Sequence, residues 1–255
     1  MIIGIDAGVE TTKVVVMEDG KVVGKAKNST GGIDRPEQIR KAYDAALEAA
    51  GIGENAVKAV FATGKAKFDI PLDAGRVTET IAAAYAARFL YPDATSVLSV
   101  GADETLAATL GDKRLVNEFV LNQKCTAGLG TFLTYLAKRL EIPIDETGIE
   151  TVDAGPINEG CVVFSELDAL SLLNNGAEPG AVMASAVKAV AVRAASVAND
   201  LTLQSNEHAV LIGGLSKNMF FVRVLERILG YEFLIPEDAE FCGAIGAAIS
   251  GGQVI

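Results

Sequence analysis

The 255-residue sequence predicts an α/β protein in which two duplicated units face each other across a cleft. One sign is a short apolar strand that runs into a Gly/acid turn and a second strand, met near residue 2 and again near residue 95. Another is helical spacing between such strands, as in Ile39, Ala42, Tyr43, Ala46 and Leu47. A third is a late strand that enters paired glycines just before a helix.

Residues 2–6 form a buried strand, Ala7 to Thr12 a polar turn, and residues 13–17 a second strand, closed by a turn at 18–21 and a third strand over 22–26. In a hairpin of this kind Gly8 lets backbone N–H groups approach a phosphate. Thr11 and Thr12 offer hydroxyls, Lys13 a positive charge, and Asp6 can hold Mg²⁺ through water. An ordinary β-hairpin also carries Gly, Thr and Lys, so the plain reading stays open here. An amphipathic helix follows over 36–50, stopped by Gly51, then a strand over 57–63 ending at Gly64, and a helix over 78–90.

The pattern then restarts. Residues 95–100 are a strand entering Gly101, Ala102, Asp103, Glu104 and Thr105, followed by strands at 106–110 and 115–121. Such a repeat places two hairpins on opposite sides of a polyphosphate. Residues 209–212 form a strand before Gly213 and Gly214, which let a ring or sugar lie against backbone, with Asn218 near the start of the helix 220–229. A strand is expected at 232–235 and a last helix from Cys242, a cysteine read as structural on a close-packed face. The expected first domain is 1–93 and the second 94–239, with residues 240–255 packing back on the first.

A formal charge of −11 and a pI near 4.7 argue against nucleic-acid and anionic-membrane partners, both of which demand a basic face. The chain opens without a basic region followed by a cleavable apolar stretch, and the Ala/Val-rich segment 181–198 is interrupted by Lys188 and Arg193. No signal peptide or membrane span is expected, and the expected location is the cytoplasm. Three cysteines in such a chain speak against a disulfide framework and for metal binding or catalysis.

Cys125 and Cys161 share a local grammar. Each follows small or polar residues and precedes a helical apolar pattern, Phe132, Leu133, Leu136 and Leu140 after the first and Leu167, Leu170 and Leu173 after the second. Each should therefore sit at or just before a helix N-terminus, where free N–H groups and the helix dipole favour anions and suit a metal-ligating thiolate. A buried cysteine of no function is the competing reading.

These stretches resemble the activators of 2-hydroxyacyl-CoA dehydratases and the ATPase subunits of benzoyl-CoA reductase, the iron–sulfur branch of the actin, sugar-kinase and heat-shock-chaperone ATPase superfamily. Residues 124–132 match a Lys-Cys-Ala-Ala-Gly-Thr-Gly-x-Phe stretch, and 161–168 match Cys-x-Val-Phe-Ala-Glu-Ser-Glu. Residues 213–218 match Gly-Gly-x-x-x-Asn and 243–248 match Gly-Ala-x-Gly-Ala-Ala. The resemblance implies two duplicated ribonuclease-H-like domains of the actin and sugar-kinase type around a nucleotide cleft. It implies ATP/ADP and Mg²⁺ held by Asp6, Gly8, Thr11, Thr12, Lys13, Gly101, Ala102, Gly213, Gly214 and Asn218. Glu166 is expected to reach the nucleotide from the helix after Cys161.

A cubane cluster takes four thiolates, and Cys125 and Cys161 of a two-fold homodimer supply four around one bridging [4Fe–4S] cluster. The implied partner is an iron–sulfur dehydratase or reductase, and the implied electron donor a ferredoxin or flavodoxin. Val9 and Glu10 stand where relatives carry Ser-Thr, and Ser99 and Ala102 to Glu104 replace the usual Asp and the Gly-Gln-Asp end of the second hairpin. Asp103 and Glu104 are the residues left to position Mg²⁺ or water for hydrolysis. Two other readings share the motifs: a small-molecule kinase of the same superfamily, and a cluster-bearing regulatory relative with impaired hydrolysis.

Overall fold

The computed structural model describes residues 1–122, 130–144, 152–201 and 208–252. Strands β1 (Ile2–Ala7), β2 (Thr11–Glu18), β3 (Lys21–Ser29), β4 (Ala59–Thr63) and β5 (Gly75–Arg76) form one sheet in the order β3-β2-β1-β4-β5. Strands β6 (Ser96–Val100), β7 (Thr105–Leu110), β8 (Val116–Leu121) and β9 (Ala209–Ile212) form a second in the order β8-β7-β6-β9. In each sheet an antiparallel meander is joined, at its first strand, by a parallel partner. Asp6 stands opposite Thr63 in the first sheet, and Ser99 opposite Ile212 in the second. Asp6 and Ser99 are thus equivalent positions.

β1 reads as an almost unbroken apolar run because both faces of its sheet are covered. On one face lies α1 (Arg35–Ala49), with a proline in its first turn. It buries Ile39, Ala42, Tyr43, Ala46 and Leu47 against Ile3, Ile5, Val14 and Val16. Full burial of a side chain the size of Ile39 or Leu47 is worth about 1.5–3 kcal/mol. On the other face lies α7 (Cys242–Gly252), whose Ala244, Ile245 and Ala248 pack against Val15 and Met17. The approach is close enough that a Cβ on Gly4 would collide with the Ala244 carbonyl.

The second sheet is covered on one face by α2 (Glu79–Leu90), capped by the Thr78 hydroxyl, which accepts from the Ile81 N–H. Its Ala83, Ala84, Ala86 and Ala87 pack with Val97, Leu106, Ala108, Val210 and Ile212. The other face carries α5 (Pro179–Asp200), surrounded by α3 (Gly130–Leu140), α4 (Val162–Asn174) and α6 (Met219–Leu229). α2 and α7 also pack on each other, Gly246 against the Ala82 carbonyl. So α2, which follows the first sheet in sequence, covers the second, and α7 returns to cover the first.

Three sequence expectations need correction. Residues 232–235 do not extend the sheet; Leu234 makes a single bridge to Val210, and Pro236 follows without an N–H to continue the ladder. On α4 the buried residues are Ser165 and Ala169, while Leu167 and Leu170 are 55% and 48% exposed. Finally, α5 spans 22 residues with a mean hydropathy of 1.5 over 18 of them, long and apolar enough to cross a membrane despite Lys188 and Arg193. In this fold 78% of that window is buried, which accounts for its composition as that of a core helix.

Candidate functional site

The duplication brings two turns face to face. The Gly8 N–H donates to the Thr11 carbonyl at 3.1 Å, and the Gly101 N–H donates to the Glu104 carbonyl at 2.9 Å. Each turn thus opens on a glycine at the end of the first strand of its sheet. Behind each turn a second glycine follows the parallel strand. Gly64 after β4 has φ +92° and Gly213 after β9 has φ +98°, and a Cβ there would strike the Ala7 and Val100 carbonyls respectively. Positive φ together with so close an approach admits only glycine.

Between the turns is a cleft lined by Asp6, Gly8, Thr11, Lys13, Gly101, Ala102, Asp103, Glu104, Gly213 and Gly214, all expected from the sequence. It is also lined by Glu10, Thr63, Gly64, Lys65, Glu79 and Gly243, which sequence reasoning left out of the site. Asp6 is wedged between two bare backbones: a Cβ on Gly64 would meet its Oδ1, and one on Gly243 would meet its Oδ2 at 2.7 Å. Burial raises its carboxyl above the ordinary aspartate value; Lys13 opposes the rise, Glu79 adds to it, Lys67 opposes it and Asp103 adds to it. Asp103 is raised too, first by burial and also by Glu79, against Lys65 and a backbone hydrogen bond. Lys67 Nζ pairs with Glu79 at 3.1 Å, and Lys65 pairs with Glu104.

Three expected nucleotide contacts are not among the cleft-lining residues. Strand alternation turns Thr12 away from Thr11 and Lys13, into the interior. The Thr30 hydroxyl donates to the Gly8 carbonyl at 2.8 Å, so Thr12 donates to Thr30 at 3.0 Å and the pair braces the hairpin from behind. Asn218 is buried as the N-cap of α6, its Oδ1 accepting from the Phe221 N–H at 2.8 Å and its Nδ2 donating to the Ile144 carbonyl at 2.6 Å. Glu166 is half-buried on α4, which packs on α5.

The helix that both turns hold is α3. A Cβ on its first residue, Gly130, would meet the Gly101 carbonyl oxygen at 2.7 Å, and Thr131 donates to the Ala102 carbonyl from both its N–H (2.8 Å) and its hydroxyl (3.1 Å). From the opposite turn Glu10 accepts a hydrogen bond from the Thr134 hydroxyl at 3.2 Å. Both hairpins therefore hold α3, five residues beyond Cys125.

Cys161 is the N-cap of α4 in an extended conformation, a thiol in no disulfide and partly exposed. The turn before it is built by Asn158, whose Oδ1 accepts from the N–H groups of Gly160 and Cys161, both at 2.9 Å. The Ser165 hydroxyl donates back to the Asn158 carbonyl at 2.7 Å. Cys242 is different: burial pushes its thiol up to about 12, in keeping with a structural role. Cys125 lies outside the described residues. Among the described residues no three His, Cys, Asp or Glu side chains of one chain come together as a metal site.

Backbone at paired turns, the lysines Lys13 and Lys65 from the first sheet and the carboxylates around them are the groups that hold a polyphosphate with a divalent cation. The chain is 30% identical over 252 residues to the activator of lactoyl-CoA dehydratase of Anaerotignum propionicum, covering 97% of this chain and 95% of that protein. It matches the activator of the 2-hydroxyisocaproyl-CoA dehydratase from Clostridium difficile, solved with bound ADPNP, with a TM-score of 0.89 at 25% identity over 99% of this chain and 94% of that one. Component A of the Acidaminococcus fermentans (R)-2-hydroxyglutaryl-CoA dehydratase matches with a TM-score of 0.86 at 26% identity, over 98% and 96%. The paired sheets and crossed helices are thus the two-domain ribonuclease-H-like arrangement of actin-type and sugar-kinase-type ATPases. The pattern that defines the BadF/BadG/BcrA/BcrD ATPase family matches residues 3–251, and this chain belongs to that family.

Proposed function

We propose that this chain is an ATP-dependent reductive activator, working as a homodimer in which Cys125 and Cys161 of each copy hold one [4Fe–4S] cluster. It would take an electron from a ferredoxin or flavodoxin and deliver it at low potential to an iron–sulfur dehydratase or reductase acting on an acyl-CoA. The observation that carries this reading is the presence, in one member of this family, of a twin-hairpin cleft and a partly exposed thiol at the head of a 13-residue helix. The donor set fits such a cluster: Cys242 is locked in the core, so four thiolates require two copies of the chain. When bound, the cluster supplies one-electron redox chemistry.

The remaining roles belong to side chains of the cleft. Gly8 and Gly101 present backbone to phosphates, Lys13 adds charge, Gly213 and Gly214 lie against adenosine, and Asp6 holds Mg²⁺ through water. Asp103 and Glu104 orient the attacking water. α3 ties both hairpins to the Cys125 segment, so a nucleotide that separates or closes the hairpins acts on α3 directly.

Anaerobic purification tests the proposal. The expected protein is brown, carries about four irons per dimer, and shows a paramagnetic signal on reduction that changes with MgATP. Colourless protein whose double Cys125→Ser, Cys161→Ser variant still phosphorylates a small molecule would overturn it.

A further inference from the structure

The pseudo-symmetry assigns a role to Lys65, a residue with no counterpart among the expected phosphate ligands. In the register of the two sheets Thr63 is equivalent to Ile212, since each stands opposite an equivalent residue, Asp6 or Ser99. Gly64 is therefore equivalent to Gly213, which the shared positive φ and the shared collision with a strand-end carbonyl bear out. Lys65 then occupies, on the first sheet, the position that Gly214 occupies on the second. A nucleotide is asymmetric. If its adenosine lies on Gly213 and Gly214, the equivalent position across the pseudo-two-fold faces the other end of the molecule, the terminal phosphate. Gly214 suits a flat ring because it has no side chain, and Lys65 suits an anion because it has an ammonium on a long stem.

Lys65 is also anchored where such a ligand would need it. It lines the cleft, and its ammonium reaches across to Glu104 of the opposite turn. Among the described residues Glu104 alone makes that bridge, and its carboxylate is the more buried partner, 18% exposed against 44% for Lys65. We propose that Lys65 is a phosphate-binding residue that selects nucleoside triphosphates. Held across the cleft by Glu104, it is handed to the terminal phosphate when a triphosphate binds, and Glu104 is thereby released to the water or cation beside it. This rests on the nucleotide assignment of the cleft made above. The hydroxyls that Val9 and Glu10 displace from the first turn are replaced, in this view, by a cation from β4's end. No covalent step is involved; the exchange is of one anion for another at a single ammonium.

Titration calorimetry with ADPNP and with ADP, in the presence of Mg²⁺, on the full chain tests this. Lys65→Met should weaken ADPNP binding about 10- to 100-fold, the range for losing a charge-assisted hydrogen bond, while changing ADP binding by less than about 3-fold. Lys65→Arg, which keeps the charge, should retain most of the ADPNP affinity, and unchanged circular dichroism establishes that the variants fold. Equal losses for both nucleotides would make Lys65 a mere strut and overturn the proposal, as would no loss for either. A wild-type chain that binds neither nucleotide overturns the ATP-dependent reading itself and this inference with it.

Discussion

Asp6 shows how one side chain can be set against the fold that holds it. Its carboxylate sits between Gly64 and Gly243, and burial raises its proton affinity in the folded chain. An acid whose folded value lies above its unfolded one stabilises the fold most below the unfolded value, here 3.8, and loses that contribution as pH rises through the folded value. Asp6→Asn should therefore raise the melting temperature at neutral pH and flatten this part of the pH–stability curve, while abolishing Mg²⁺-dependent nucleotide binding. Thermal unfolding from pH 3 to 8 beside a binding titration reads both; a variant that melts lower and still binds would show Asp6 to be structural. Gly213 was legible from sequence because a positive φ and a close approach to the Val100 carbonyl leave one residue type. Thr12 was misread although strand alternation already turned it inward, since its neighbours Thr11 and Lys13 both face the cleft.

At the scale of the element, α3 and α4 divide the work that one helix was expected to do. The apolar spacing after Cys161 predicts α4 correctly, but Leu167 and Leu170 face outward and Ser165 and Ala169 inward. Periodicity marks a helix and not which stripe of it a neighbour covers. α4 is headed by Cys161 but packs on α5, while α3 is clamped by Gly101, Ala102 and Glu10. The sign of that clamp in the sequence was Gly130 followed by Thr131, the small residue and the hydroxyl that a backbone contact requires. The head of α4 depends on Asn158, which satisfies two N–H groups at once. Asn158→Ala should cost about 0.5–2 kcal/mol, as for loss of a helix-capping side chain, and, under the cluster assignment proposed above, should speed the loss of iron from the anaerobically purified protein. Denaturant unfolding and timed iron release measure the two effects, and a variant unchanged in both would show that the turn holds itself.

Across the whole molecule, the crossing of α2 and α7 joins the two sheets and lays the floor of the cleft. The join is reinforced by Glu240, just before α7, which pairs with Lys27 of β3 at 3.1 Å and with Lys217 beyond β9. Burial raises the Glu240 carboxyl, but the two lysines more than offset that and hold it below the ordinary glutamate value. A lowered acid stabilises the fold above its unfolded value, here 4.5, and that stability is lost as pH falls through the folded value. Glu240→Gln should lower stability at neutral pH by about 1 kcal/mol and lessen the further loss below pH 4.5, as followed by unfolding in urea across that range.

The amino-acid order alone settled the repeated hairpins, the glycine turns and the helix that Cys161 begins, because these depend on backbone geometry within a few residues. What the packed chain decided was which elements meet. Gly64, Lys65, Glu79 and Gly243 come from the end of β4, α2 and α7, far apart in the chain, and they share a cleft because α2 and α7 exchange sheets. Such contacts follow from how complementary faces are buried against each other, and no local pattern along the chain records that pairing.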